Sequence, residues 1–170
     1  MLPRLQQISS PQDYVRILQM FYGFYLPMEE AIHSRITADE VPDIAERRTA
    51  SLILQDLKTL GYDNVPDRLA AVPDIVTIPQ AFGALYVLEG STLGGKIIAK
   101  MLAKNNQVSL PQEALHFFLG YGEKTGPMWT SFVQVLNQQT DAASIAAAAN
   151  QTFLSLKHWM HSYYETAIEL

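Results

Sequence analysis

Residues 84–100 read ALYVLEGSTLGGKIIAK, from Ala84 to Lys100. Apolar residues keep helical spacing on both sides of this stretch, yet Gly90, Gly94 and Gly95 stand in its middle. Each glycine costs a helix about 1 kcal/mol relative to alanine. Three of them, two adjacent, predict a helix that is kinked or loosened. Two readings of that cost stay open: another helix crosses closely at a notch made by Gly90 and Gly94, or a ligand approaches the bare backbone. A third fails. Gly90 to Lys96 satisfies G-x-x-x-x-G-K, but a phosphate loop needs Ser or Thr next and a strand before it. Here Ile97 follows, and no strand pattern precedes.

Working outward, Thr77-Ile-Pro-Gln80 has the form of a capping box and predicts a helix that opens there and reaches Lys104. Ser109-Leu-Pro-Gln112 repeats the form and predicts a shorter helix to about Leu119. Gly120, Gly122 and Gly126 then read as a loop. Trp129, Phe132, Val133 and Leu136 form a further amphipathic stretch. Asp141 reads as the cap of a last long helix carrying Phe153, Leu156, Met160 and Tyr163. Upstream, Ser10-Pro11 with Asp13 is a helix start, and Tyr14, Ile17, Leu18, Phe21, Tyr22 and Tyr25 follow at helical spacing. Gly23 and Pro27 predict a bend, with helix resuming to about Ser34. A second helix is expected from Pro42 to Leu60, ended by Gly61, and a short helical piece at Asp67 to Val72. Nothing alternates as a strand does. The expectation is an all-α, single-domain helical bundle over residues 1–170 with a kinked glycine-rich helix.

The composition excludes much. The 170 residues hold no cysteine, which removes disulfides, thiolate metal sites and cysteine nucleophiles, and suits a cytoplasmic protein. The net charge of −5 argues against a broad nucleic-acid face. No apolar run approaches the roughly 20 residues of a membrane span, and the start MLPRLQQISSPQ has no signal-peptide core.

Four segments carry a resemblance. YVLEGSTLGG (Tyr86 to Gly95) closely resembles the distal helix of bacterial heme oxygenases, particularly those found with bacteriophytochromes. FYGFYLPME (Phe21 to Glu29), RRTASLILQDLKTLG (Arg47 to Gly61) and FFLGYGEKTGPMWTSF (Phe117 to Phe132) resemble further blocks of that family, in the same order. The resemblance implies heme held between a proximal helix, whose histidine ligates iron, and the kinked distal helix. It implies oxidative cleavage to biliverdin, carbon monoxide and iron, with electrons from an external donor of ferredoxin or reductase type; a dimer is a further expectation. On it, Gly90, Ser91, Gly94 and Gly95 form the oxygen and water environment. Ser91 stands where animal relatives carry a water-organising aspartate. Tyr86, Gly90, Gly94, Gly95, Lys124 and Phe153 are expected to line the heme. Lys96, Lys124 and Lys157 are candidates for its propionates, whereas Arg47 and Arg48 are expected to pair with surface acids or a helix end. Trp129, Phe117, Phe132, Phe153 and Tyr163 suit either a flat ligand's border or the core.

The family's proximal histidine lies before the F-Y-G-F-Y block, and the residues before Phe21 contain none. Two expectations follow: the ligand-bearing helix precedes Met1, or the chain is a variant that meets heme differently. The histidines present are His33, His116, His158 and His161. The resemblance also leaves two alternatives to an active enzyme. One is an inactive binding module of the same fold. The other is a di-iron enzyme in which Glu30/His33 and Glu113/His116, both Glu-x-x-His, join carboxylates such as Glu46, Glu89 or Glu165. His158, His161 and Glu165 could chelate a surface metal, though a solvated face explains them as well. A thiaminase-like activity of this fold is excluded, because its nucleophile is a cysteine.

Overall fold

A computed structural model describes residues 8–165. The described residues form helices and connections without strands.

Helix α1 spans Pro11–His33. Ser10 and Asp13 close a reciprocal capping box: the Ser10 hydroxyl accepts from the Asp13 amide at 3.2 Å, and the Asp13 carboxylate accepts from the Ser10 amide at 3.0 Å. Tyr14, Leu18, Phe21, Tyr25, Met28 and Ile32 recur every three or four residues and are all buried, so α1 runs through the core. The helix continues unbroken through Pro27, and Gly23 is a notch rather than a hinge. The Gly23 carbonyl accepts from the Ala70 amide at 2.8 Å, and a Cβ there would overlap the Arg68 carbonyl and the Trp159 ring.

The helix expected from Pro42 to Leu60 divides. A 3-10 turn at Ile44–Glu46 gives way to extended backbone at Arg47, and α2 begins only at Ser51, ending at Thr59. The break lets the Arg47 side chain turn into the protein, where its ion pairs compensate the lost helical bonds. Residues 67–72 are not helical but lie in the connector that crosses Gly23. Thr77 and Gln80 form the expected capping box of α3, Ile78–Gly90. The helix does not run on to Lys104 as one piece: Ser91 interrupts it, and α4 spans Thr92–Ala103. The start expected at Ser109 is displaced too. Pro111 precedes a 3-10 turn, Gln112–Ala114, and the four-residue α5, His116–Leu119, takes its cap from elsewhere. The Asp56 carboxylate of α2 accepts the amides of His116 and Phe117, both at 2.9 Å. Gly120 and Gly122 adopt positive φ of 56° and 57°, as a glycine loop should. Gly126, by contrast, lies inside α6, Thr125–Leu136.

Helix α7, Ala142–Glu165, opens with the Asp141 carboxylate accepting from the Ser144 amide at 3.0 Å. It packs against α3 where Gly83 meets the Ile145 carbonyl and Ala148 without room for a side chain. It is tied to α1 by the Trp159 indole, which donates to the Met20 carbonyl at 2.8 Å. Tyr14, Phe24, Phe82, Phe117 and Phe132 fill the centre. Among the described residues no helix is long and apolar enough to cross a membrane.

Candidate functional site

The break between α3 and α4 is made by side chains. The Ser91 hydroxyl donates to the Leu88 carbonyl at 2.6 Å, and the Thr92 hydroxyl donates to the Glu89 carbonyl at 2.6 Å. In an unbroken helix those carbonyls would accept the amides of residues 92 and 93. Hydroxyls that bond back onto the preceding turn bend helices in this way.

Two arginines hold the break from behind. Arg48 donates to the Leu88 carbonyl at 3.0 Å, the Ser91 hydroxyl, the Tyr25 phenol at 3.2 Å and the Phe117 carbonyl at 3.2 Å. Its guanidinium lies over the rings of Phe117 and Tyr25, at 4.4 and 5.2 Å. Arg47 is buried. It pairs with Glu89 at 2.8 Å and with Asp43 at 2.7 Å, and donates to the Met128 carbonyl at 2.9 Å. The Tyr121 phenol donates to Glu89 at 2.8 Å and accepts from the Arg48 amide at 2.7 Å. Burial, with the Glu89 carboxylate beside it, pushes that phenol far above its ordinary pKa, so it stays a donor. The expectation that Arg47 meets surface acids is therefore corrected: its partner Glu89 is buried. Arg48 does meet a helix end, at Leu88.

The three central glycines face three different surroundings. A Cβ on Gly95 would overlap the Phe118 carbonyl, so Gly95 exists for helix packing. A Cβ on Gly90 would stand 3.8 Å from the Trp129 ring, and one on Gly94 would meet nothing within 4 Å. On α3 Gly90 lies one turn from Tyr86, and on α4 Gly94 lies beside Leu93 and one turn from Ile97; Tyr86, Leu93 and Ile97 are 43%, 47% and 70% exposed. The Trp129 ring lies 5.6 Å from that of Tyr86 and ends the strip on one side. The result is an exposed apolar strip floored by bare backbone at the bend.

The other expected residues fall elsewhere. Ser91 turns to Arg48 and Tyr25. Lys124 is exposed at the start of α6, Lys157 is exposed on α7, and Lys96 pairs with exposed Glu123 at 2.9 Å. Phe117 and Phe132 are core, Trp129 and Tyr163 partly buried, and Phe153 is 63% exposed on α7. His33 is exposed at the end of α1. His116 bonds Asp56 at 3.0 Å. His158 and His161 are exposed on α7, the latter beside Glu165 at 3.0 Å. The di-iron arrangement is not formed: among the described residues no three His, Asp or Glu side chains converge. Glu30, Glu46 and Glu113 are exposed, while Glu89 is committed to Arg47 and Tyr121.

Tyr25, Arg47, Arg48 and Tyr121 were not legible as parts of one site. They sit up to 96 residues apart and meet only through the packing of α1, α2 and the 120s loop behind α3. Comparison with known proteins places this geometry. The sequence profile of the heme oxygenase family matches residues 3–162. A heme oxygenase of Xanthomonas campestris pv. campestris (strain 8004) is 32% identical over 137 residues, covering 80% of this chain and 79% of that protein. The crystal structure of NO- and CO-bound heme oxygenase from Neisseria meningitidis is similar with a TM-score of 0.69 and 20% identity, covering 96% of this chain and 80% of that one, which is a likeness of fold. With a profile match over nearly its whole length, the chain belongs to the heme oxygenase family.

Proposed function

We propose that the chain binds heme against the α3–α4 strip and acts in its oxidative cleavage to biliverdin, carbon monoxide and iron. The observation that carries this is Gly94, open in front, with Gly90 beside the Trp129 ring, set among exposed Tyr86, Leu93 and Ile97 at a braced bend. A flat apolar macrocycle needs a surface without Cβ atoms if the backbone is to come near its face. Tyr86, Leu93 and Ile97 would lose water against such a ligand at about 25 cal/mol per Å² of apolar surface covered. Bound heme supplies the iron at which oxygen is activated. The protein's part on this side is to shape the face, exclude water and keep the bend rigid. Lys96, carried by α4 itself and paired among the described residues only with exposed Glu123, is assigned to the propionates. The described residues fit one face of heme and place no histidine on the strip, so the strip is assigned to the oxygen side.

The test is a hemin titration followed at the Soret band, with and without added imidazole as a surrogate axial ligand. Expected is a saturable shift in the presence of imidazole, then conversion to biliverdin on adding reductant and oxygen. Hemin that stays unbound with imidazole present would overturn the reading. Binding without turnover would favour the inactive binding module. The electron donor, of ferredoxin or reductase type, and a homodimer are parts of the same proposal, to be checked by reduction of the loaded protein with each donor and by sedimentation.

A further inference from the structure

Arg48 reaches the α3–α4 bend from a segment that belongs to no helix. Arg47 before it is extended, and α2 starts only at Ser51, with Ala50 as its cap residue. Two bonds hold the backbone of this segment. The Arg48 amide donates to the Tyr121 phenol at 2.7 Å, and the Ala50 amide donates to the Glu29 carboxylate at 2.8 Å. An alanine side chain cannot cap a helix, so α2 takes its cap from a carboxylate on α1, set at the positive end of the helix dipole. Ala50 is buried, and its carbonyl accepts the Ile53 amide at 3.0 Å. Held on both sides, it fixes the course of the chain two residues after Arg48.

Helix α1 places Glu29 for this. It stands one turn after Tyr25, whose phenol accepts from the Arg48 guanidinium at 3.2 Å. One face of α1 therefore holds both the Arg48 side chain and the backbone beside it. Glu29 is partly buried. Burial pushes its carboxyl above the ordinary glutamate value, Glu30 adds to the rise, and the Ala50 amide, His33 and Arg48 pull it back. We infer that Glu29 is a positioning residue: from α1 it caps α2 at Ala50 and thereby holds Arg48 against the α3–α4 bend. The cap and the hold on Arg48 concern the protein alone. Their consequence for the strip rests on the proposed heme reading.

The experiment has two arms, run on wild type, Glu29→Ala, Glu29→Gln and Glu29→Asp. Glu29→Gln keeps an acceptor at the same reach, and Glu29→Asp draws the carboxylate back by one methylene. The first arm is nuclear magnetic resonance of the heme-free protein. Exchange of the Ala50 amide should rise about tenfold in Glu29→Ala, the size of one lost hydrogen bond. The Arg48 guanidinium protons, slow to exchange while locked, should broaden with it. Glu29→Gln should restore both. Glu29→Asp should move both in the direction of Glu29→Ala, and it decides the question if Glu29→Ala does not fold. Amides of α7 report global loosening. Arg48 signals that stay sharp while Ala50 exchange rises would overturn the positioning role. So would Glu29→Gln behaving like Glu29→Ala, or a rise in α7 as large as that at Ala50. The second arm titrates hemin at the Soret band with imidazole present. The midpoint should move to higher hemin in Glu29→Ala and return in Glu29→Gln. An unmoved midpoint beside loosened Arg48 signals would overturn the consequence for the strip. Wild type that fails to load hemin counts against the heme reading and leaves the first arm to decide the role of Glu29.

Discussion

Gly94 and Gly95 are sequence neighbours with opposite surroundings, and alanine tells them apart. At Gly95 the added Cβ meets the Phe118 carbonyl, so α4 must move off α5. Gly95→Ala should destabilise the protein by about 3 kcal/mol, the upper range for overpacking, seen as a lowered thermal midpoint. At Gly94 the Cβ enters open space. Gly94→Ala should be neutral or stabilising by up to about 1 kcal/mol, because the helix gains a better former. It should nonetheless weaken hemin binding in the Soret titration, since the methyl stands on the face assigned to the ligand. Both variants equally stable, or Gly94→Ala with unaltered hemin affinity, would contradict this division of labour. Asp56 gives a pH signature at the same scale. Burial raises its carboxyl above the ordinary aspartate value, outweighing the amides of Phe117 and His116 that pull it down. A raised folded pKa means the native state holds the proton more tightly than the unfolded chain. The contribution is complete below the unfolded pKa and is lost as pH rises through the folded one. Asp56→Asn should therefore flatten the fall in stability over that weakly acidic window, measured by denaturant midpoints at successive pH values.

At the scale of elements, the α3–α4 bend is held mainly from outside the helix. The Ser91 and Thr92 hydroxyls start it, and Arg47 and Arg48, carried by the extended break before α2, brace it. Removing Arg47 would leave Glu89 buried and without its cation. Arg47→Met should cost about 3–5 kcal/mol, the range for breaking one side of a buried ion pair, in chemical denaturation. The double variant Arg47→Met/Glu89→Gln should recover part of that loss, because no lone buried charge remains. Absence of any recovery would mean that Asp43 and Met128, the other Arg47 partners, dominate. This bracing also explains the misplaced helix boundaries. Arg47 is at home in a helix by propensity, and only its buried partners draw it into extended backbone. The same holds at Ser109, whose capping role passes to Asp56 from another helix.

For the whole molecule, α7 closes the bundle by packing on α3 at Gly83 and by hydrogen bonding to α1 through Trp159. Trp159 also packs against the Arg68 guanidinium, 5.2 Å from its ring, so one indole joins α1, α7 and the connector. Trp159→Phe removes the bond to the Met20 carbonyl, and a drop of about 1–2 kcal/mol is expected. Because the core is continuous from α1 to α7, wild type and this variant should each unfold in one transition, read as coincident far-ultraviolet and tryptophan fluorescence curves. Two separated transitions would mean that α7 forms a unit of its own.

Local patterns in the sequence determined the helical class, the starts at Ser10, Thr77 and Asp141, the glycine turns at Gly120 and Gly122, and the presence of a bend near Gly90. Each depends on interactions within about four residues, where spacing and side-chain chemistry suffice. The family, too, was legible, in four ordered segments. Tertiary structure alone decided which glycine faces the strip and which faces a neighbouring backbone, because the three look alike without their surroundings. It set the Ser91 hydroxyl against Arg48 and Tyr25. It also took Glu89 and His116 out of any metal site by pairing them with Arg47 and Asp56. For Glu89 and for Asp56, the partner of His116, the physical reason is burial. A buried polar group goes wherever a partner can replace water, and that partner is chosen by packing between elements far apart in the chain.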